Sequence, residues 1–318
     1  MLSADGSPTT VDGHARHRAV VYEDAAGFVE LVGGFLCEGV SQRDRVLVAT
    51  TARKRSWLRD ALGNASEAVE WVDAHALYAR HGPMFAEVIG VLARHATGGN
   101  GRVRIVAEQP GLRSDAERRA YMRYEAAANV AYRRFAASVL CPYDAGGLPD
   151  AVLEDVFRTH PEVLTVDGPR ASEAFVDPRA FIRLRSRIQA PPQGAPAVAI
   201  EDADDLARAR TWVCARAAAA GLDAERIEEL EVAVSEAATN ALVHGAPPRC
   251  VWVYEREGML ICHVHDGGRG LADPLAGYLP PESRSEGGRG LWLMRQICDV
   301  VEAADDETGS HIYLGLRL

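Results

Sequence analysis

Short apolar runs alternate with longer amphipathic stretches from about residue 16 to residue 185 of this 318-residue chain. The runs 18–22, 45–50, 69–72, 103–107 and 138–141 are rich in Val, Ile and Leu and read as strands. Between them, apolar residues recur at helical spacing near 25–38, 53–62, 83–96, 114–135 and 149–159. Strands that alternate with helices predict a mainly parallel α/β sheet.

The clearest break is Ala190-Pro-Pro-Gln-Gly-Ala-Pro196, where prolines and a glycine can continue neither a helix nor a central strand. Beyond it the pattern predicts helices over about 202–220 and 223–243 and strands near 249–256 and 259–265. A glycine-punctuated segment follows (266–290), then a short helix to about 298 and an alternating strand at 311–318. Helix pairs and strand pairs in this order suggest an α/β sandwich, not a doubly wound sheet. The expected organisation is a loose tail at 1–15, a first domain at 16–188, a Pro-rich linker at 189–197 and a second domain at 198–318.

Composition narrows the function classes. Charged residues make up 25% of the chain and the formal net charge is -10, which disfavours direct binding of DNA or RNA. The cysteines Cys37, Cys141, Cys214, Cys250, Cys262 and Cys298 are scattered, without zinc-ligand spacing, and read as reduced, packed thiols. No apolar run reaches the length of a membrane span, and the first residues lack the apolar core of a secretion signal. The expectation is a cytoplasmic protein without membrane contact.

Three constellations carry chemistry. In Ser235-Glu-Ala-Ala-Thr-Asn-Ala-Leu-Val-His-Gly245, Glu236, Asn240 and His244 fall four apart on one helix face. The apolar stripe of Ile227, Leu230, Val234, Ala238 and Ala241 points largely the other way. A carboxylate and an amide at this spacing commonly form no more than a solvated face. Strand 259–265 then leads into Asp266-Gly-Gly-Arg-Gly270, whose glycines permit close backbone approach to a ligand beside an acceptor carboxylate. Last, Gly287-Gly-Arg-Gly-Leu-Trp-Leu-Met294 places glycines ahead of an apolar helix, where bare amides favour an anion.

In this fixed order the motifs resemble the GHKL ATP-binding superfamily, and the first is similar to the version in serine kinases that act as bacterial anti-sigma factors. The resemblance covers about 198–318. It implies ATP and Mg²⁺ as cofactors, with Asn240 as the metal ligand, Glu236 as general base and Asp266 on adenine. Gly268 and Gly270 would shape the pocket, Gly288 and Gly290 would meet the phosphates, and 271–286 would be the lid. Ser310 stands where the family usually has Thr. Arg289 contacts phosphate or faces solvent, and His244 orients Glu236 or simply ends its helix. Residues 15–185 resemble the MEDS sensory domain, through His17-Arg-Ala-Val-Val-Tyr22, Ile105-Val-Ala-Glu-Gln-Pro-Gly111, Tyr124-Glu-Ala and Leu140-Cys-Pro-Tyr-Asp144. This implies a degenerate RecA-like sheet and a small-molecule ligand, with Glu108, Glu125 and Cys141 as ligand contacts or packed side chains. Arg53, Lys54 and Arg55 stand where a phosphate loop would be but lack its glycines.

The combined reading is a sensory domain that tunes an anti-sigma factor and serine-protein kinase acting on a STAS-type antagonist. A homodimer is implied by resemblance. The rival readings are an ATP-gated binding module without catalysis and a histidine-kinase-type subunit that acts on a separate phosphoacceptor. His160, in Thr-His-Pro, is a poor phosphoacceptor because proline disfavours helix continuation.

Overall fold

The computed structural model describes residues 15–98, 101–111, 114–187, 189–281 and 288–318. Residues 1–14 of the expected tail (1–15), Gly287 and the carboxy-terminal part of the expected lid (282–286) lie outside them. By internal contacts the chain divides into two units: residues up to 77, 88–110 and 128–175, and residues 78–87, 111–127 and 176–318.

The first half of the chain runs β1 (Arg16–Tyr22), α1 (Ala25–Ser41), β2 (Arg45–Thr50), α2 (Ala52–Leu62), β3 (Val69–Asp73), α3 (Ala74–Leu77) and α4 (His81–Gly98). It continues through β4 (Val103–Ala107), α5 (Asp115–Ala131), β5 (Ala137–Asp144), α6 (Asp150–Thr159), β6 (Glu162–Thr165) and β7 (Gly168–Ala171). Its seven strands form one sheet in the order β3-β2-β4-β5-β1-β6-β7. Every pairing is parallel except β6 with β7. The mainly parallel α/β sheet expected from the alternation is therefore present, and the sequence pattern missed only its two short strands β6 and β7.

Local chemistry explains these elements. Asp24 caps α1 by accepting from the Gly27 amide at 2.8 Å, and Phe28, Val32, Phe35 and Leu36 then form one buried stripe against the sheet. Lys54, the only lysine in the chain, turns inward from α2 instead of facing solvent. Its ammonium contacts Glu108 and the Tyr22 hydroxyl, and Thr50 donates to the other Glu108 oxygen. Glu108 is thus the hub of a buried, satisfied network at the ends of β1, β2 and β4.

The second unit carries α7 (Pro178–Arg185), β8 (Ala197–Ala199), α8 (Ala203–Ala219), α9 (Ala224–His244), β9 (Arg249–Arg256), β10 (Met259–Asp266), α10 (Arg289–Ile297), β11 (Val300–Asp306) and β12 (Gly309–Arg317). An antiparallel sheet in the order β11-β12-β10-β9-β8 packs one face against α8, α9 and α10. Val251, Cys262, Val264 and Leu314 from the strands meet Val213, Leu230, Ala237 and Met294 from the helices. This is the α/β sandwich expected from the element order, with β8 and β11 added. Segments 78–87 and 111–127 belong to this unit by contacts, although in sequence they lie among the elements of the first sheet.

The other sheet face is aromatic. The His263 ring stacks on Tyr313 with centroids 4.1 Å apart, and His263 Nε2 lies 3.0 Å from His311 Nδ1. Burial first, then the neighbouring His311 and His265, push His263 down to about 3. A histidine kept neutral in the fold contributes stability above its unfolded value near 6.5, and that contribution is lost as pH falls toward 3. Thermal stability should therefore decline below pH 6.5 by roughly 1.4 kcal/mol per pH unit from this group. Unfolding midpoints for His263→Gln should fall less steeply over pH 4–6.5 than those of the wild type. Parallel profiles for the two proteins would refute this assignment.

Candidate functional site

Helix α9 starts at Asp223, whose side chain accepts from the Arg226 amide at 2.9 Å. Its residues Leu230, Val234, Ala237, Ala238 and Ala241 are buried against the sheet. That anchoring leaves Glu236 and Asn240 together, half-buried, on the face turned away from the core. At the helix end, Arg249 donates through Nε to the Ala241 carbonyl at 2.8 Å and through Nη2 to the Gly245 carbonyl at 3.4 Å. The Ala241 carbonyl also accepts from the Gly245 amide at 3.2 Å, so Arg249 gives it a second donor. The Gly245 carbonyl, beyond the last turn, gains from Arg249 a donor that the helix does not supply. No motif marked Arg249; its role depends on β9 returning alongside α9.

Beside α9 is a cavity of about 320 Å³. Its lining draws on all three motif regions: Asn240 and His244 from α9, Asp266 at the end of β10 with Gly270 after it, and Gly288 and Gly290 at the start of α10. Ser310 on β12 lines it too, directly opposite Asp266 in the β10–β12 register. Leu271, Ala272, Ala276 and Ile312, which the motifs did not single out, add apolar wall.

Asp266 is buried at the end of β10. Its Oδ1 accepts from the Gly268 amide at 2.8 Å and the Ala246 amide at 3.4 Å, so the loop that follows orients the carboxylate. Gly288 caps α10 with φ of 83°, a left-handed conformation suited to glycine. Gly290 permits a close approach of α10 to α9: a Cβ there would lie 2.7 Å from Glu236 Oε2 and 3.3 Å from Asn240 Nδ2. Glu236 thus stands beside the amino end of α10, one turn before Asn240. Arg289 is exposed and does not line the cavity. The cavity therefore collects a carboxylate, an amide and a helix amino terminus, a donor set suited to a polyanion with a hard cation.

The described part of the expected lid is tied down at its base. Arg179 of α7 pairs with Asp273 (Nε to Oδ1, 3.1 Å), and Arg183 donates to the Ala272 carbonyl at 3.1 Å. The Tyr278 hydroxyl accepts from Arg123 Nε at 3.3 Å, and the Arg295 guanidinium lies over the Tyr278 ring, 3.7 Å from its centroid. These contacts fasten the cavity wall to α5, α7 and α10. They join residues too distant in sequence for any local pattern to show them.

No helix among the described residues is long and apolar enough to cross a membrane.

Comparison with known proteins gives two family matches. Residues 16–161 match the model described as MEDS, the MEthanogen/methylotroph, DcmR Sensory domain, and residues 200–316 match the histidine kinase-like ATPase domain. No curated protein matches the chain. Among solved structures, it is similar at 20% identity to the RsbU and RsbW domains of Rv1364c from Mycobacterium tuberculosis. That similarity has a TM-score of 0.29 and covers 39% of this chain and 32% of that one. The chain thus carries a MEDS segment followed by a histidine kinase-like ATPase segment.

Proposed function

We propose that the cavity beside α9 is a Mg-ATP site and that the second domain, 198–318, is a serine-protein kinase of the anti-sigma-factor type. The observation that carries this reading is the convergence of Asn240, Asp266, Gly288, Gly290 and Ser310 on one cavity, with Glu236 against Gly290. The match of residues 200–316 to the histidine kinase-like ATPase model supports the nucleotide-binding part of it independently. The cavity volume falls at the lower end of the roughly 300–1,000 Å³ usual for small-ligand sites.

Bound ATP would supply the transferable phosphoryl group and Mg²⁺ would neutralise its charge. Asn240 would hold the cation through its side-chain oxygen. Asp266, oriented by the Gly268 amide, would accept from the adenine amine, while Gly270 shapes the wall and Ser310 borders the same end. The amides at Gly288 and Gly290 would face phosphate oxygens, and Arg289 beside them would add positive charge from the rim. Glu236 would take the proton from the attacking serine hydroxyl. Phosphoryl transfer asks mainly for positioning and charge neutralisation, which this short set provides.

The phosphoacceptor would be a STAS-type antagonist, with a sigma factor as the competing partner and a homodimer as the assembly. Residues 16–188 would be the sensory domain that adjusts this balance in response to a small molecule, joined to the kinase through 189–197.

Mg-ATP titration followed by calorimetry tests the site. Asn240→Ala should bind about ten- to a hundredfold more weakly, because polar contacts to charged groups contribute roughly 1.5–3 kcal/mol. Equal affinity in both proteins would overturn it. Phosphorylated product that is acid-stable identifies serine; an acid-labile product identifies histidine and rejects the serine assignment.

Gly290 offers a separate check. The methyl of Gly290→Ala must displace the Glu236 carboxylate, so phosphotransfer should fall about 10²-fold while the unfolding midpoint stays near that of the wild type. Unchanged turnover would show that Glu236 does not act from this position.

A further inference from the structure

We infer that His17, Cys141 and His160, in the MEDS segment, form a transition-metal site, and that zinc fits its donors best. The three residues are far apart in sequence and are gathered by the parallel sheet. His17 lies on β1, and the adjoining β5 places Cys141 opposite Ala19, so Cys141 is the diagonal neighbour of His17 on the same sheet face. His160 follows α6, just before β6 joins β1 on its other side.

Their donor atoms all lie within 4.8 Å of one another. His17 Nε2 is 3.4 Å from Cys141 Sγ. A tetrahedral zinc ion bound at about 2.3 Å to sulfur and 2.0–2.1 Å to nitrogen sets those two atoms roughly 3.5 Å apart. That pair is therefore already at coordination spacing, and the His160 donor, within 4.8 Å of both, needs only to draw closer.

The surroundings set both imidazoles in the ligand state. Asn129 donates its amide to the Thr159 carbonyl at 2.7 Å, which fixes the side chain so that Oδ1 meets His17 Nδ1 at 3.2 Å. An amide oxygen only accepts, so Nδ1 of His17 carries the proton and Nε2 carries the lone pair toward the sulfur. His160 Nδ1 lies 2.9 Å from the Val156 carbonyl, another pure acceptor, and the same logic leaves its lone pair on Nε2. Outer hydrogen bonds of this kind are how proteins orient metal-binding histidines.

A thiol proton donated to His17 would explain that single contact. It does not explain why a second imidazole in the same tautomer converges on the pair. All three side chains are buried, and a thiolate offsets much of the cost of a buried divalent cation. One sulfur with two imidazoles suits a borderline-soft ion such as zinc far better than magnesium or calcium.

The test uses the full-length protein purified without metal-affinity steps. Mass spectrometry for metals should find about one zinc per chain in the wild type and a loss of most of it in Cys141→Ser. X-ray absorption on the wild type should show one sulfur among the zinc neighbours. Chelator-stripped wild type given Co²⁺ should develop a thiolate-to-cobalt charge-transfer band, which Cys141→Ser lacks. Asn129→Leu should weaken metal affinity about 10- to 100-fold, the usual effect of losing an outer partner. The absorption and cobalt measurements on the wild type stand even where a variant misfolds. Metal-free protein with no cobalt–thiolate band, a sulfur-free zinc shell, or equal zinc in wild type and a folded Cys141→Ser would each overturn the site.

Discussion

Replacing Glu236 by glutamine is expected to cut phosphotransfer by about 10²–10⁴-fold, the usual contribution of a positioned general base. The same change should leave Mg-ATP affinity close to that of the wild type. The two effects separate because Glu236 and Asn240 share a helix face but have different tasks in the proposed mechanism. Asn240 lines the cavity, whereas Glu236 borders it with Oε2 beside Gly290. Glutamine keeps the volume and the packing against α10 but cannot take a proton at neutral pH. Single-turnover phosphorylation and nucleotide titration on the same preparation check both halves. Glu236→Gln with full turnover would show that Glu236 is not the general base and would remove its support for catalysis over nucleotide-gated binding. Parallel loss of affinity and turnover would assign Glu236 to nucleotide binding.

Arg123→Met should destabilise the second unit by about 3–5 kcal/mol, the usual effect of breaking a buried ion pair. Arg123 is among the largest fully buried side chains, and its Nη1 lies 3.4 Å from Glu302. It also donates through Nη1 to the Arg185 carbonyl at 3.1 Å and through Nε to the Tyr278 hydroxyl. Glu302 accepts from the Arg187 amide and is itself buried. Methionine would fill much of the space but leave that carboxylate without its cation. A second change, Glu302→Gln, should restore part of the loss, since the larger penalty is the uncompensated charge. Urea unfolding of the two single variants and the double variant gives the coupling directly. A loss under about 1 kcal/mol in Arg123→Met would show that water reaches Glu302 and that the pair is not a keystone. Because Arg123 also holds Tyr278 in the cavity-side segment, Mg-ATP affinity should drop in the same variant.

Much of the architecture was legible from periodicity. Strands over 45–50, 103–107 and 249–256 and helices over 202–220 and 223–243 form as expected, because each carries an apolar period that only one backbone geometry can bury. The elements that pattern missed are short or lie at edges. β6, β7 and β8 are 3–4 residues long, too short to show alternation. β11 follows α10 within a few residues, so its pattern merges with the helix that precedes it. The glycine motifs were legible for a different reason: a residue chosen for lacking a side chain stands out wherever backbones must meet closely, as at Gly290.

The sequence by itself determined the element types, the two α/β architectures and the order of the three motifs, because these depend on spacing along the chain. Tertiary structure alone decided which distant groups meet. The α5 helix reads simply as amphipathic, yet residues 111–127 pack with the second unit, where Arg123 reaches Glu302 and Tyr278. The cysteine spacing shows no metal motif, yet the parallel pairing of β1 with β5 and β6 brings Cys141 between two histidines from opposite ends of the first domain. An apolar period records that a face must be buried but not which surface will cover it. Those partners are chosen only when the sheets assemble and each buried charge or lone pair must find its complement.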